Sequence, residues 1–360
     1  FLDLNRSNTN LIFTTAITRK FSAKFTNKTG ITYTKMYYDM DMNLAPHQMH
    51  PMELISQGKG NTDLISGYTS SSIGISEQVT LNVGVNAQVL TLNNSWTLEP
   101  RSGIKWQFSP KSSFALAYGL HSRMEKMDVY FVKTQGTGDR SVNKDLGFTR
   151  AHHVMLSYGF KISDNMNMKI EPYFQQLYDV SVIADSSYSV LNRRDFYVEN
   201  ALVNRGKGRN IGVDITLERY LNKGLYYMVT ASIFDSKYYG GDRKWRNTLY
   251  NRNFIINVLG GKEWMVGRDR QNMFSVNFKI TLQGGDRYAP VDEVATLLDP
   301  DREVQYDETK AFSKQFSPMF ITNFSVGYKI NRKKVSHEFS IKSLNTTGCE
   351  EYYGHEYNFK

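Results

Sequence analysis

The sequence predicts an all-β protein whose antiparallel strands form a membrane-spanning β-barrel. Three observations carry this prediction. Apolar and polar residues alternate with period two through most of the chain, short and long connections alternate between these segments, and no run approaches the roughly 20 apolar residues of a membrane-spanning helix. Tyr and Phe are abundant, at 23 and 21 residues, whereas Pro is scarce at 8, and this composition also suits strands.

The clearest hairpin runs from Leu98 to Arg123 and turns at the polar residues 109–112. In its first run Trp106 lies on an apolar side, whereas Arg101 and Lys105 lie on the opposite, polar side. A soluble sandwich could use the same hairpin. Its repetition along the chain therefore decides the prediction.

Alternating segments recur along the whole chain. They lie at 8–19, 24–41, 61–76, 80–93, 98–108, 113–123, 148–161, 165–180, 206–220, 225–238, 250–265, 271–284, 314–330 and 334–347. About 14 strands are therefore expected. Many exceed the roughly 5 to 6 residues of a soluble strand and could cross a bilayer at a tilt.

The polar sides of these strands carry charge. Phe278 is followed by Lys279, and Val213 and Ile215 flank Asp214. A charged face along strands of this length favours a wet lumen over a dry core. The mean hydropathy of -0.47 agrees with this architecture, because a barrel strand exposes only every second residue to lipid.

The connections differ in length according to their order. Short turns follow the odd-numbered segments, at 20–23, 76–79, 109–112, 163–165, 221–224, 267–270 and 331–333. Long connections follow most even-numbered segments, at 42–60, 124–147, 181–205, 239–249 and 285–313. Bacterial outer-membrane barrels place short turns on one rim and long loops on the other, so this pattern favours that class.

Composition and motifs argue against other classes of protein. The formal charge is +9, but the 44 Lys and Arg are scattered among 35 acids and no nucleic-acid motif occurs, so no nucleic-acid partner is expected. Cys349 is the single cysteine and cannot form an internal disulfide. No nucleophile elbow is present, and neither an enzyme nor a cofactor is predicted.

Three stretches resemble TonB-dependent outer-membrane receptors. The first is the hairpin Leu98 to Arg123, with Pro100 and Arg101 before a descending strand. The second, Asn204 to Trp264, is similar to receptor barrels from the Bacteroidetes group, and the third, Gly284 to Asp292, resembles the loop after a late strand. The resemblance implies a 22-stranded barrel filled by an N-terminal plug domain. Residues 1–360 are then expected to be the C-terminal part of that barrel, without the plug, the TonB-binding segment and the final strand.

The resemblance implies active import of a scarce nutrient across the bacterial outer membrane, with long extracellular loops for ligand capture. The wall would contact outer-membrane lipid and the plug of the same parent chain, and the plug would engage the TonB complex. A surface lipoprotein is a further expected partner in this bacterial group. The alternatives are a self-contained 14-stranded, porin-like passive diffusion channel and, third, a soluble multi-sheet binding protein.

Three sets of residues are candidates for functional roles. Lumen residues, expected to face the plug or water, are Glu99, Arg101, Lys105, Asp214, Glu218 and Lys279. Aromatic residues near strand ends, expected in a membrane girdle, are Trp106, Tyr118, Tyr158, Trp264 and Tyr328. Loop residues that could bind a ligand by bidentate or stacking contacts are Arg193, Arg194, Arg243, Lys244, Trp245 and Arg246. A solvated charged loop is the favoured alternative for the last set.

Two further motifs suggest binding sites. The segment Tyr38 to Met52 contains His47 and His50, which suggest metal capture, although a His-x-x-His loop enforces no geometry and a Met-rich surface loop is favoured. The run 204–210, NRGKGRN, lacks the spacing of a phosphate-binding loop. Its glycines are expected to allow close backbone approach at the start of a strand. His152 and His153 are neighbours in a predicted strand, so they should face opposite sides.

Overall fold

Long antiparallel strands form most of the protein. The computed structural model describes residues 2–45, 51–134, 140–194, 197–299 and 303–352. Its strands are β1 (Leu2–Ser22), β2 (Phe25–Leu44), β3 (Glu53–Gly74), β4 (Val79–Leu90), β5 (Ser95–Ser109), β6 (Ser112–Arg123), β7 (Thr149–Ser163), β8 (Met166–Val182), β9 (Val203–Asn222), β10 (Leu225–Tyr239), β11 (Trp245–Asn247), β12 (Phe254–Val266), β13 (Asn272–Gln283), β14 (Arg287–Tyr288), β15 (Lys314–Gln315), β16 (Met319–Asn331) and β17 (Ser336–Ser343).

The helices are short and lie in the connections. They are α1 (Met127–Tyr130), α2 (Glu293–Leu298) and two 3-10 turns, Val190–Asn192 and Glu308–Lys310. No helix in the described ranges is both long and apolar enough to cross a membrane.

The strands pair almost entirely in sequence order. The main sheet has 15 strands in the order β1 to β10, β12, β13, β16 and β17, with β11 paired to β10, and β14 and β15 form a separate pair. Each of the 14 predicted segments corresponds to one strand of the main path. In the part of the chain that the structure describes, β1 and β17 do not pair with each other, so the sheet is open between them.

The two rims differ as the sequence predicts. Short connections join the odd-numbered strands of the path to the next strand, for example between β9 and β10. There Lys223 and Gly224 have φ of 51° and 74°, the left-handed pair that a tight hairpin needs. The connections 124–148, 183–202, 240–253 and 284–318 are long and lie together at the opposite rim. We call these the short-turn rim and the long-loop rim.

The long connections contain more structure than the sequence indicated. β3 begins at Glu53, whereas residues up to 60 were expected in a loop. This part of β3 lacks apolar alternation, but it pairs with the end of β2, and residues 131–133 hydrogen-bond along its other edge. The Gln57 amide donates to the Phe131 carbonyl at 3.2 Å, and the Lys133 amide donates to the Ile55 carbonyl at 2.8 Å.

A hydrophobic core lies beneath the long-loop rim. Its side chains come from β2, the end of β4, and the connections 124–148 and 183–202. The buried members are Met36, Met40, Leu90, Met127, Val129, Tyr130, Phe131, Val132, Leu146, Phe148, Val198 and Leu202. Loops therefore pack against the wall here as the elements of a soluble domain do.

Candidate functional site

Strand register assigns each residue to one of two faces, because directly paired residues share a face. Arg101 pairs with Gly84 and Gly119, and Asp214 pairs with Glu171 and Ser232. Pairing followed across the sheet places all six predicted lumen residues on one face, which we call the inner face: Glu99, Arg101, Lys105, Asp214, Glu218 and Lys279. The opposite face is called the outer face.

The inner face is polar and forms grooves along the sheet. One groove of about 650 Å³ extends from β5 to β12 and is lined by Arg101, His153, Gln175 and Asp214 among others. Its lining comes from seven strands, so the sheet curves around this face. His121 also lines the groove, with its ring centroid 4.7 Å from that of His153. A groove of this kind suits water or a polar protein segment.

Glu99 differs from the expectation that it meets the plug or water. Its side chain is 1% exposed, and its carboxylate accepts hydrogen bonds within the wall itself. Gln88 Nε2 donates at 2.6 Å, Asn86 Nδ2 at 3.1 Å and the Arg101 guanidinium at 2.7 Å, and the Ser122 hydroxyl is also a donor. A buried carboxylate is tolerated only with such a set of donors, so Glu99 ties three strands together.

The predicted girdle residues all lie on the outer face. Trp106, Tyr158, Trp264 and Tyr328 lie close to the short turns, so they form a row along the short-turn rim. Phe108 extends this row, with ring centroids 5.3 Å from Trp106 and 6.4 Å from Tyr158.

Tyr118 is the exception among these aromatic residues. It lies in the middle of β6, where its hydroxyl is 3.0 Å from Nδ1 of His152. His152 therefore lies on the outer face, and His153 lies on the inner face beside His121, so the prediction that the two histidines face opposite sides is confirmed.

Two of the predicted ligand-binding arginines are held by carboxylates at the long-loop rim. Arg193 contacts Asp128 at 2.6 Å, with side chains only 9% and 4% exposed. Arg246 binds Asp242 through two contacts of 2.9 and 2.6 Å, which hold the pKa of that carboxyl below its usual value. These partners favour a structural role for both arginines, whereas the sequence suggested ligand contact.

A third ion-pair cluster joins further loops. Arg194 lies 3.5 Å from Asp286, and Arg252 contacts the same carboxylate at 2.6 Å. Asp286 therefore joins the connection after β8 to those before and after the hairpin β12–β13. The long-loop rim is an interlocked assembly rather than a set of independent loops.

The remaining predicted ligand residues lie in one tight turn. Arg243 has a φ of 63°, and Lys244 and Trp245 beside it are exposed. Trp245 pairs with Tyr239 and so belongs to the outer face, where the Arg209 guanidinium lies 5.5 Å from its ring centroid. These residues are placed outside the wall, away from the inner groove.

The structure also contains a basic pocket that the sequence analysis missed. A cavity of about 350 Å³ at the long-loop rim is lined by Arg123, Glu125, Lys126, Arg193 and Arg194, with Thr149 and Val190 completing its wall. Burial raises the pKa of Glu125, whose carboxylate accepts from the Ser181 hydroxyl at 2.9 Å. Arg123 at the end of β6 and Lys126 shortly after it are the signal for this pocket in the sequence. Their convergence with 193–194 is a tertiary contact that spacing does not reveal.

The metal hypothesis gains no support from the described part of the chain. His47 and His50 lie outside the described residues. Within the described ranges, no group of three or more His, Cys, Asp or Glu is arranged to hold a metal ion. The glycines of 204–210 do allow close approach, since a Cβ on Gly206 would lie 2.4 Å from Cγ1 of Val182.

Comparison with known proteins identifies the fold. No protein-family model matches the chain, and no curated protein matches its sequence. Among solved structures, the outer membrane transporter YddB from Escherichia coli matches with a TM-score of 0.66 and 12% identity, over 96% of this chain and 51% of that one. The ferric-catecholate import receptor Fiu from K12 E. coli matches with 0.65 and 12%, over 95% and 51%.

A third solved structure also matches. The copper transporter OprC has a TM-score of 0.63 at 10% identity, over 96% of this chain and 51% of that one. The chain thus spans about half the length of these solved structures. At this identity the likeness concerns the fold, and the fold is that of the barrel wall of outer-membrane transporters.

Proposed function

We propose that the chain is part of the barrel wall of a TonB-dependent receptor in the bacterial outer membrane, which imports a scarce nutrient without covalent chemistry. The observation that carries the proposal is the shared fold over 95 to 96% of the chain, at about half the length of the matched transporters. A wall of this kind needs further strands and a filling domain. The open edges at β1 and β17 are where such strands would pair.

The two faces support this role. The outer face exposes apolar residues such as Phe278 and Ile233 where lipid would lie. The inner face presents Arg101, Asp214 and Lys279 toward a plug domain or water, and a plug would connect the receptor to the TonB complex. The ligand would bind at the long-loop rim, where the basic pocket around Arg123 and Lys126 favours an anionic group. A surface lipoprotein is a further proposed partner at this rim.

The structure of the full-length parent chain, purified from outer membranes in detergent, tests the proposal. We expect about 22 strands around a plug, with these residues forming part of the wall. A closed barrel of 14 strands around an open lumen would instead support the passive channel. That channel would also give stable single-channel conductance in a planar bilayer from these 360 residues alone.

A further inference from the structure

Three basic residues lie near the start of β9: Lys207 and Arg209 on its outer face, and Arg205 exposed at a β-bulge beside them. Arg205, Lys207 and Arg209 are exposed and alternate with the buried Gly206 and Gly208. Antiparallel pairing puts Arg209 opposite Lys237 and Lys207 opposite Tyr239. The glycine-rich run that lacks the spacing of a phosphate loop therefore forms a ladder of cations. We call Arg205, Lys207 and Arg209 the basic row.

Packing on the inner side fixes the direction of the basic row. A Cβ on Gly206 would lie 2.4 Å from Val182 Cγ1, and one on Gly208 would lie 3.0 Å from Leu191 Cδ1. No side chain fits on that side without displacing the end of β8 or the connection that follows it. A register slip of one residue would drive Arg or Lys into this packing, so the cations are held outward.

The basic row lies at the edge of an apolar band. After Arg209, the outer face of β9 carries Ile211, Val213, Ile215 and Leu217, and then Arg219 near the short-turn rim. At ~3.3 Å per residue, Arg209 and Arg219 are separated by about 33 Å along the strand. With the strand tilt usual in outer-membrane barrels, this corresponds to roughly 25 Å along the membrane normal. This separation equals the height of the lipid-facing band of outer-membrane barrels. The basic row is thus at headgroup depth on the long-loop side.

Aromatic rings contact two of these cations, and no carboxylate in the described part of the chain forms an ion pair with them. The Lys207 ammonium lies 5.6 Å from the ring centroid of Tyr239, and the Arg209 guanidinium lies 5.5 Å from that of Trp245. The nearby Asp235 pairs with Lys237 at 3.3 Å. Among the described residues, the basic row itself forms no ion pair with a carboxylate, so its charge is available to an anion.

We propose that the basic row, with Tyr239 and Trp245, binds the phosphate groups of an anionic glycolipid in the outer leaflet. Guanidinium and ammonium groups bind phosphate through charge-assisted hydrogen bonds. Trp245 and Tyr239 present ring faces beside the cations, against which a sugar can stack. This inference rests on the proposed outer-membrane location, and it assigns Trp245 to a lipid contact on the wall.

Binding of a defined glycolipid to the full-length parent chain tests the inference. The delipidated chain in detergent is titrated with diphosphoryl lipid A and with its dephosphorylated form, and bound lipid is counted by native mass spectrometry. The triple variant Arg205→Gln, Lys207→Gln, Arg209→Gln removes the basic row. The matched control Lys24→Gln, Lys111→Gln, Lys223→Gln removes the same charge from exposed positions of the short-turn rim.

We expect the wild-type chain to prefer the diphosphoryl lipid about 10- to 100-fold, which corresponds to about 1.4 to 2.8 kcal/mol, because the cations of the basic row attract the lipid phosphates. The preference should disappear in the triple variant and persist in the control. It should also persist in the double variant Arg205→Lys, Arg209→Lys, which keeps Lys207 and therefore all three positive charges. Equal binding of both lipids by the wild type, or an unchanged preference in the triple variant, overturns the inference. Equal binding of phosphatidylglycerol and lipid A also overturns it.

Membrane integration is scored separately by detergent-dependent extraction from outer membranes. If the wild-type chain is integrated in the membrane but shows no preference for the phosphorylated lipid, only the inference of a glycolipid site fails. If the wild-type chain is extracted without detergent, the proposed function itself is contradicted. The two failures are therefore distinguishable.

Discussion

The wall and the long-loop rim are built on different principles. In the wall, a residue's surroundings follow from its place in a strand, so that Phe278 and Lys279 are neighbours in sequence and lie on opposite faces. At the rim, the decisive contacts join distant segments: Asp128 meets Arg193, and Ser187 donates to Glu308 at 2.6 Å. The wall therefore tolerates many sequences that preserve alternation, whereas the rim depends on individual partners.

Removing the Asp128 carboxylate should have the largest effect. Asp128→Ala removes the carboxylate that pairs with the buried Arg193 guanidinium, and breaking such a buried pair costs about 3 to 5 kcal/mol. We expect hydrogen exchange to accelerate in 124–134 and 188–194, while the strands of the wall keep their protection. Asp39→Ala is the control, because its pair with Lys59 is 50% and 81% exposed and solvent screening leaves such a surface pair with little effect on stability. Similar acceleration in both variants would contradict the distinction between rim and surface pairs.

Replacing an apolar side chain of the outer face with a charged one should have the next largest effect. Phe278→Arg places a charge on the outer face and should lower the free energy of unfolding by about 2 to 4 kcal/mol if the residue lies at the bilayer midplane. Lys279→Arg, one position along the strand, should be tolerated. Denaturant unfolding of the parent chain in lipid vesicles measures both, and equal effects would refute the assigned faces.

A single methyl group should test the packing between β8 and β9 near the long-loop rim. Gly206→Ala forces Cβ to within 2.4 Å of Val182 Cγ1 and 2.9 Å of the Val180 carbonyl oxygen, and overpacking of this kind costs about 1 to 3 kcal/mol. Gly67→Ala is the matched control in another strand, since no atom lies within 4 Å of its Cβ. Thermal unfolding of the two variants should differ, and a destabilised Gly67→Ala would indicate that strand glycines matter for another reason.

The smallest effect is expected from pH. Burial raises the pKa of Glu125 above its ordinary value of 4.5, although the Ser181 hydroxyl and the charges of Arg123 and Arg193 oppose the shift. A raised folded pKa means that the neutral acid stabilises the rim below about pH 4.5, and that this contribution is lost as pH rises through the folded value. Exchange protection of 124–134, corrected for intrinsic rates, should therefore decline with rising pH. Glu125→Gln should abolish the decline, and a decline that persists in this variant would assign it to another group.

The sequence predicts the strands of the wall almost completely, but it predicts very few of the contacts at the long-loop rim. Alternation located all 14 strands and the faces of residues such as Arg101 and Trp106, because a period of two is a local property. It missed the first part of β3, whose run QGKGN carries no apolar pattern and is held in the sheet by β2 and residues 131–133.

The candidate site shows the same limit. Side-chain chemistry and position in long connections make Arg193 and Trp245 candidate ligand contacts, with a solvated loop as the favoured alternative, yet one is buried against Asp128 and the other lies outside the wall. The pair Asp242 and Arg246 could have been found from its spacing of four residues. The pairing of Arg193 with a residue 65 positions away could not, since it depends on how two loops fold over the same rim.

The first part of β3, residues 53–63, has a consequence for how copies of this chain behave beside one another. β3 continues beyond the end of β4, and an uncovered strand edge of this kind accepts an extended segment from any neighbouring molecule. Residues 131–133 occupy that edge with hydrogen bonds from their own chain. The connection after β6 thereby covers an edge that could otherwise pair with an extended segment of another molecule, and we expect its removal to favour intermolecular strand pairing even where the wall remains folded.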